Sequence, residues 1–118
     1  MPDDNENYVV RLCALDDVPS DAPLRICIAG QAAIAVVKVN GAIYAFADEC
    51  THGAGSLSDG FIDDDVIVCP VHAGEFHVPT GKALDLPVTV DLRTYRVWAD
   101  GRDVLADLAQ PAESEDAS

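Results

Sequence analysis

Two cysteine–histidine pairs, Cys50-x-His52 and Cys69-x-x-His72, stand sixteen residues apart in a chain of 118. They take two of the four cysteines and two of the three histidines. If those four side chains are to meet, the segment between them must run out and come back. "FIDDDVIVC", Phe61 to Cys69, has two short apolar runs around three aspartates and reads as a hairpin turning at Asp63 to Asp65. The spacing therefore asks for two loops held side by side by a folded-back ribbon.

The rest of the chain supplies strands to carry such loops. Tyr8 to Leu15 and Leu24 to Gly30 read as strands separated by a Pro-containing loop. Ala33 to Phe46 is a hairpin, with Asn40-Gly41 providing the positive φ angles of a type I′ turn. Val88 to Leu108 gives further strands that turn at Asp100-Gly101. No sustained 3.6-residue period occurs, apart from a single turn at Leu15 to Val18. The expected class is all-β, with antiparallel sheets in a sandwich or incomplete barrel.

A chain of this length makes one domain, expected over residues 1–108. Residues 47–87 are richer in Gly, Pro and metal-type side chains than their flanks, and read as a loop-rich subdomain inserted into the sheet. Residues 109–118 read as a frayed acidic tail.

Charge narrows the partners. The formal net charge of −14 opposes nucleic acid, which needs basic groups to release counterions, and opposes an anionic membrane surface. No apolar run approaches the roughly 20 residues of a membrane helix. "MPDDNENY" carries acid where a secretory signal carries base, so a cytoplasmic location is expected. A reducing cytoplasm turns four cysteines away from disulfides and toward metal.

Two thiolates and two imidazoles make four ligands. Structural zinc sites usually pair like with like, at two to four intervening residues for cysteines and three to five for histidines. Here each loop mixes the two types, so each can give sulfur to one metal and nitrogen to a neighbouring one. A two-iron cluster with unequal ligands wants this pattern, and zinc in the same four positions is the alternative. Cys13 and Cys27 lie in strand patterns and read as buried thiols acting as small hydrophobes. His77 reads as a strand histidine under the second loop, and Tyr95 and Trp98 as core or sheet-face aromatics.

With Gly53 after the first histidine and Pro70 after the second cysteine, the two loops resemble those of Rieske iron–sulfur proteins. The wider text, "CPVHAGEF" and "TGKALDLPV" before a final hairpin, is similar to the small Rieske ferredoxins of bacterial aromatic-ring-hydroxylating oxygenase systems. The resemblance covers about residues 8–108. It implies one Rieske 2Fe–2S cluster, with Cys50 and Cys69 on the inner iron and His52 and His72 on the outer. High-potential relatives carry a further cysteine in each loop, joined as a disulfide; their places here look like Gly55 and Val71, so no bridge can form. Their serine and tyrosine donors look replaced by Gly74 and Phe76. Fewer donors leave more electron density on the cluster, so a low potential is expected, near the bottom of the roughly −150 to +300 mV Rieske span. Ala73 departs from the glycine of many relatives, which bears on the loop backbone and not on the ligands.

The implied function is one-electron transfer from an NAD(P)H-dependent flavoprotein reductase to a terminal ring-hydroxylating oxygenase. Ring oxidation itself needs a mononuclear iron on two histidines and a carboxylate, and only His77 is left over, so the chain is expected to be a carrier and not an enzyme. Transient docking is expected at the His52/His72 tip, on a patch of Val71, Ala54 and Pro87 rimmed by Asp48, Glu49, Glu75 and Asp85. The alternative is a Rieske-like small subunit of an assimilatory nitrite reductase.

Overall fold

The computed structural model describes residues 8–51, 55–71, 74–84 and 90–109. Among these the strands are β1 (Val9–Ala14), β2 (Leu24–Ile26), β3 (Ile34–Val39), β4 (Ala42–Ala47), β5 (Phe61–Asp63), β6 (Val66–Val68), β7 (Glu75–His77), β8 (Thr94–Asp100) and β9 (Asp103–Asp107). The all-β expectation holds. Six strands form one antiparallel sheet in the order β1-β9-β8-β4-β3-β2, and β5-β6-β7 form a second.

Local backbone chemistry sets the turns. Asn40 (φ 52°) and Gly41 (φ 83°) both lie in the left-handed region, as a type I′ turn demands, and Val39 pairs with Ala42 across it. The β8–β9 loop is Gly101-Arg102, one residue later than expected, with Asp100 opposite Asp103. β5 and β6 turn at Asp64-Asp65, as expected, with Asp64 at φ 60°. The short turn after β1 is a 3-10 turn at Leu15–Asp17.

Two expectations fail locally. β2 stops at Ile26 instead of running to Gly30, because Gln31 N–H bonds back to Ile28 O and Gly30 (φ 81°) swings the chain into a turn. Cys27 therefore leaves the ladder and is exposed, not buried; Cys13, in β1, is buried as expected. The segment before β8 is likewise not a strand over 90–93, although Leu92 packs inward; 88 and 89 lie outside the described residues.

β3 organises the interior. Its sequence IAVVKV is apolar on both faces, and both faces are covered. Ile34 and Val36 join Leu12, Ala45, Tyr95, Val104 and Ala106 in one core. Ala35, Val37 and Val39 face the other way, joining Phe46, Leu57, Ile67, Phe76 and Val78 in a second core that also holds Cys50 and Cys69. The three-stranded sheet thus packs on the back of β3 and β4, and both cysteines are rooted in the core they share.

A candidate metal centre on two matching loops

The first loop leaves β4 and is closed at its base by Asp48. Leu57 N–H donates to Asp48 O at 2.7 Å, and the Asp48 carboxylate accepts from Ser58 N–H (2.7 Å) and Ser58 Oγ–H (3.1 Å). Arg25 Nε stands 3.4 Å away. Asp48 is only 2% exposed, so it braces the loop from below and is not on the rim of a docking patch as expected. Pattern reading missed it because its partner lies ten residues on, partly in a backbone N–H. Of the other expected rim and patch residues, Glu49 is exposed, Glu75 and Val71 are half-buried, and Ala54, Asp85 and Pro87 lie outside the described residues.

Inside that base the loop turns on itself: Cys50 N–H donates to Gly55 O at 2.9 Å. The second loop does the same, with Cys69 N–H donating to Gly74 O at 2.7 Å. Each cysteine bonds the carbonyl of a glycine five residues ahead, so both loops close in the same way, and in sequence a histidine falls between each cysteine and its glycine. The Cys-x₄-Gly spacing was legible in the sequence. β6 and β7 hold the second loop from both sides, with Val68 opposite Glu75.

The loops bring Cys50 and Cys69 together. Both are buried, at 3% and 1% exposure, free of disulfide bonds, and their thiols lie within hydrogen-bonding reach of each other. Burial pushes the Cys69 thiol above its usual range; the Val71 N–H opposes this by donating to the sulfur, and the neighbouring Cys50 adds to it. Two dry thiols aimed at one point fit a pair of thiolates on one iron. His52 and His72 lie outside the described residues, and among the described ones no three His, Cys, Asp or Glu side chains are grouped to hold a metal ion.

A family model of the Rieske [2Fe-2S] domain matches residues 8–96. The chain belongs to the Rieske 2Fe–2S family. Its cofactor is accordingly one Rieske-type 2Fe–2S cluster, as the loops led one to expect. This Rieske chain is 46% identical over 102 residues to the 3-phenylpropionate/cinnamic acid dioxygenase ferredoxin subunit of Escherichia coli (strain K12), covering 84% of the chain and 94% of that relative. Among solved structures it is similar to the Sphingomonas yanoikuyae B1 ferredoxin, at 34% identity and a TM-score of 0.80, over 86% of the chain and 98% of that one. It is also similar to a chain of the complex of reduced oxygenase and oxidized ferredoxin in carbazole 1,9a-dioxygenase, at 37% identity and a TM-score of 0.82, over 90% and 98%. The Rieske chain is an electron-transfer component, not a catalytic oxygenase. These ferredoxin relatives give no support to the nitrite reductase reading.

Two further contacts steady the Rieske loops. Thr51, between the first cysteine and histidine, donates from Oγ1 to Val90 O at 2.6 Å and ties the segment beyond residue 89 to the first loop. His77, in β7, is a strand histidine as expected: its Nε2 lies 3.0 Å from Asp65 Oδ2 and its Nδ1 2.9 Å from Thr80 Oγ1. With the carboxylate as acceptor, Nε2 carries the proton and Nδ1 accepts from the threonine hydroxyl. His77 thereby pins the β5–β6 turn to the chain after β7.

Proposed function

We propose that this chain is the one-electron carrier of an aromatic-ring-hydroxylating system, receiving electrons from an NAD(P)H-dependent flavoprotein reductase and delivering them to a terminal oxygenase. The observation that carries the reading is the pair of like-closed loops whose buried cysteines face each other. Cys50 and Cys69 would hold one iron and His52 and His72 the other, within a single domain over 1–108 whose inserted subdomain spans about 47–87. Residues 109–118 are the acidic tail beyond that domain, and 110–118 lie outside the described residues.

When bound, the cluster takes up and gives up one electron at a time. The protein's task is to hold it rigidly and in dry surroundings. The ladder of β6 and β7, the Asp48 brace and the two Cys–Gly closures keep the ligand loops from rearranging between oxidation states. The Val71 N–H supports negative charge on the Cys69 sulfur. Gly74 and Phe76 offer no side-chain hydroxyl, which favours a low potential. The ferredoxin–oxygenase complex of the carbazole system supports a docked terminal oxygenase as partner. Docking at the His52/His72 tip puts the electron near the contact, and a brief encounter there suits an interface below about 1,200 Å². No described helix is long and apolar enough to cross a membrane, and we place the carrier in the cytoplasm.

Anaerobic reconstitution tests the reading. The expected product is reddish-brown, with two irons and two labile sulfides per chain, and dithionite reduction gives an EPR signal of lower average g than all-thiolate clusters show. His52→Ala and His72→Ala should each lose that signal. Colourless, iron-free protein, or an unchanged spectrum in either variant, refutes it.

A further inference from the structure

Gly55 has a backbone conformation outside the left-handed region, so nothing in its φ requires glycine. The space around it does. A β-carbon built there would stand 2.8 Å from Val71 Cγ2, 3.3 Å from Val71 Cβ and 3.0 Å from Cys69 Sγ. The Val71 side chain occupies the hollow that the missing methyl leaves, and this is where the first cluster loop meets the second. Both partners are also wired to the cysteines. Gly55 O accepts from Cys50 N–H at 2.9 Å, and Val71 N–H donates to the Cys69 sulfur. Pro70, with its fixed φ, removes one torsion from the link between Cys69 and Val71, and the Val71 Cβ, which rotation of the side chain does not move, is also among the contacts.

We propose that Gly55 and Val71 are positioning residues, a steric key that sets the separation of the two ligand loops and with it the aim of the Val71 N–H at the Cys69 sulfur. The proposal rests on the Rieske reading of these loops and deepens it. Hydrogen bonds to ligand sulfur are among the levers that set a cluster's potential, so the key acts on the electron's energy and not only on the fold. A single methyl at residue 55 must push either Val71 or the sulfur, because two of the three contacts it would make are at or below 3.0 Å.

The test compares Gly55→Ala, Val71→Ala and the double variant after reconstitution with iron and sulfide. Reduction potential and EPR g values are the readouts, and far-UV circular dichroism is the control for folding. Gly55→Ala should fold, shift both the potential and the g values, and lose iron to a chelator several-fold faster than wild type. Val71→Ala alone should change them less. In the double variant the valine methyl that comes nearest the new β-carbon is gone, and at least half of the Gly55→Ala shift should be recovered. Wild-type g values and potential in Gly55→Ala overturn the key, as does a double variant whose shift is merely the sum of the two singles. Should Gly55→Ala fail to fold, a folded and loaded double variant supports the key, and an equally unfolded one overturns it. Wild-type protein that takes up no cluster would instead sink the proposed function on which the key rests.

Discussion

Asp48 shows how a single side chain can matter to a centre it does not ligate. Its carboxylate is buried beneath the first loop and hydrogen-bonded by Ser58, with the exposed Arg25 Nε standing 3.4 Å off. Asp48→Ala should cost about 2–3 kcal/mol, since it removes a charged acceptor and strands the Ser58 donors. Asp48→Asn keeps an acceptor oxygen and should cost less; urea unfolding of both variants decides. His77 is the matching case on the second loop. His77→Ala should cost about 1–2 kcal/mol for its two half-buried hydrogen bonds and leave the visible spectrum intact, in contrast to the ligand histidines. The buried thiols add a pH dependence. Burial raises Cys13 and Cys69 above their ordinary 9.0, so the folded metal-free chain holds these protons after the unfolded chain has released them. Its stability is full below about pH 9 and falls as pH climbs through the raised values. The loaded protein, with Cys69 already a thiolate, should lose less between pH 8 and 10 in the same urea titration. At this scale the proposed ligands could be picked out because their spacing is local, and of the four the structure brings Cys50 and Cys69 together. Asp48 was not, because an aspartate's burial depends on what folds over it.

Among the elements, what could be read depended on whether a signal sits inside a few residues. Asn40-Gly41 specifies its turn by itself, since both positions need positive φ and both residue types tolerate it. Gly41→Ala meets no neighbour within 4 Å, so its cost should be conformational alone, about 1 kcal/mol, read from the shift in urea midpoint. β2 was overextended because Arg25-Ile26-Cys27-Ile28 alternates like a strand, and only the turn back from Ile28 to Gln31 ends it. β7 is three residues long, too short for any period to show; its existence rests on pairing with β6, and on Leu84 N–H donating to Glu75 O from the far side. The convergence of the two cluster loops, by contrast, followed directly from the hairpin between them.

For the molecule as a whole, the excess of acid governs encounters. A net charge of −14 should draw the carrier to basic surfaces, and stopped-flow reduction by the flavoprotein reductase proposed as its partner should slow as ionic strength rises, most steeply below the roughly 0.1 M at which the screening length falls to about 10 Å. Rates that stay flat across that range would show that acid serves solubility alone. The arrangement of the interior was less open to sequence reading: a run such as IAVV tells that a strand is buried, but not that two separate cores lie against its opposite sides. That shared wall has a practical consequence. A sheet that loosens on one side of β3 withdraws the support behind both cysteines on the other, so heating that opens either core should release the pigment as well. Bleaching of the sample should therefore report the collapse of the entire molecule, at the same temperature as the loss of its β signal.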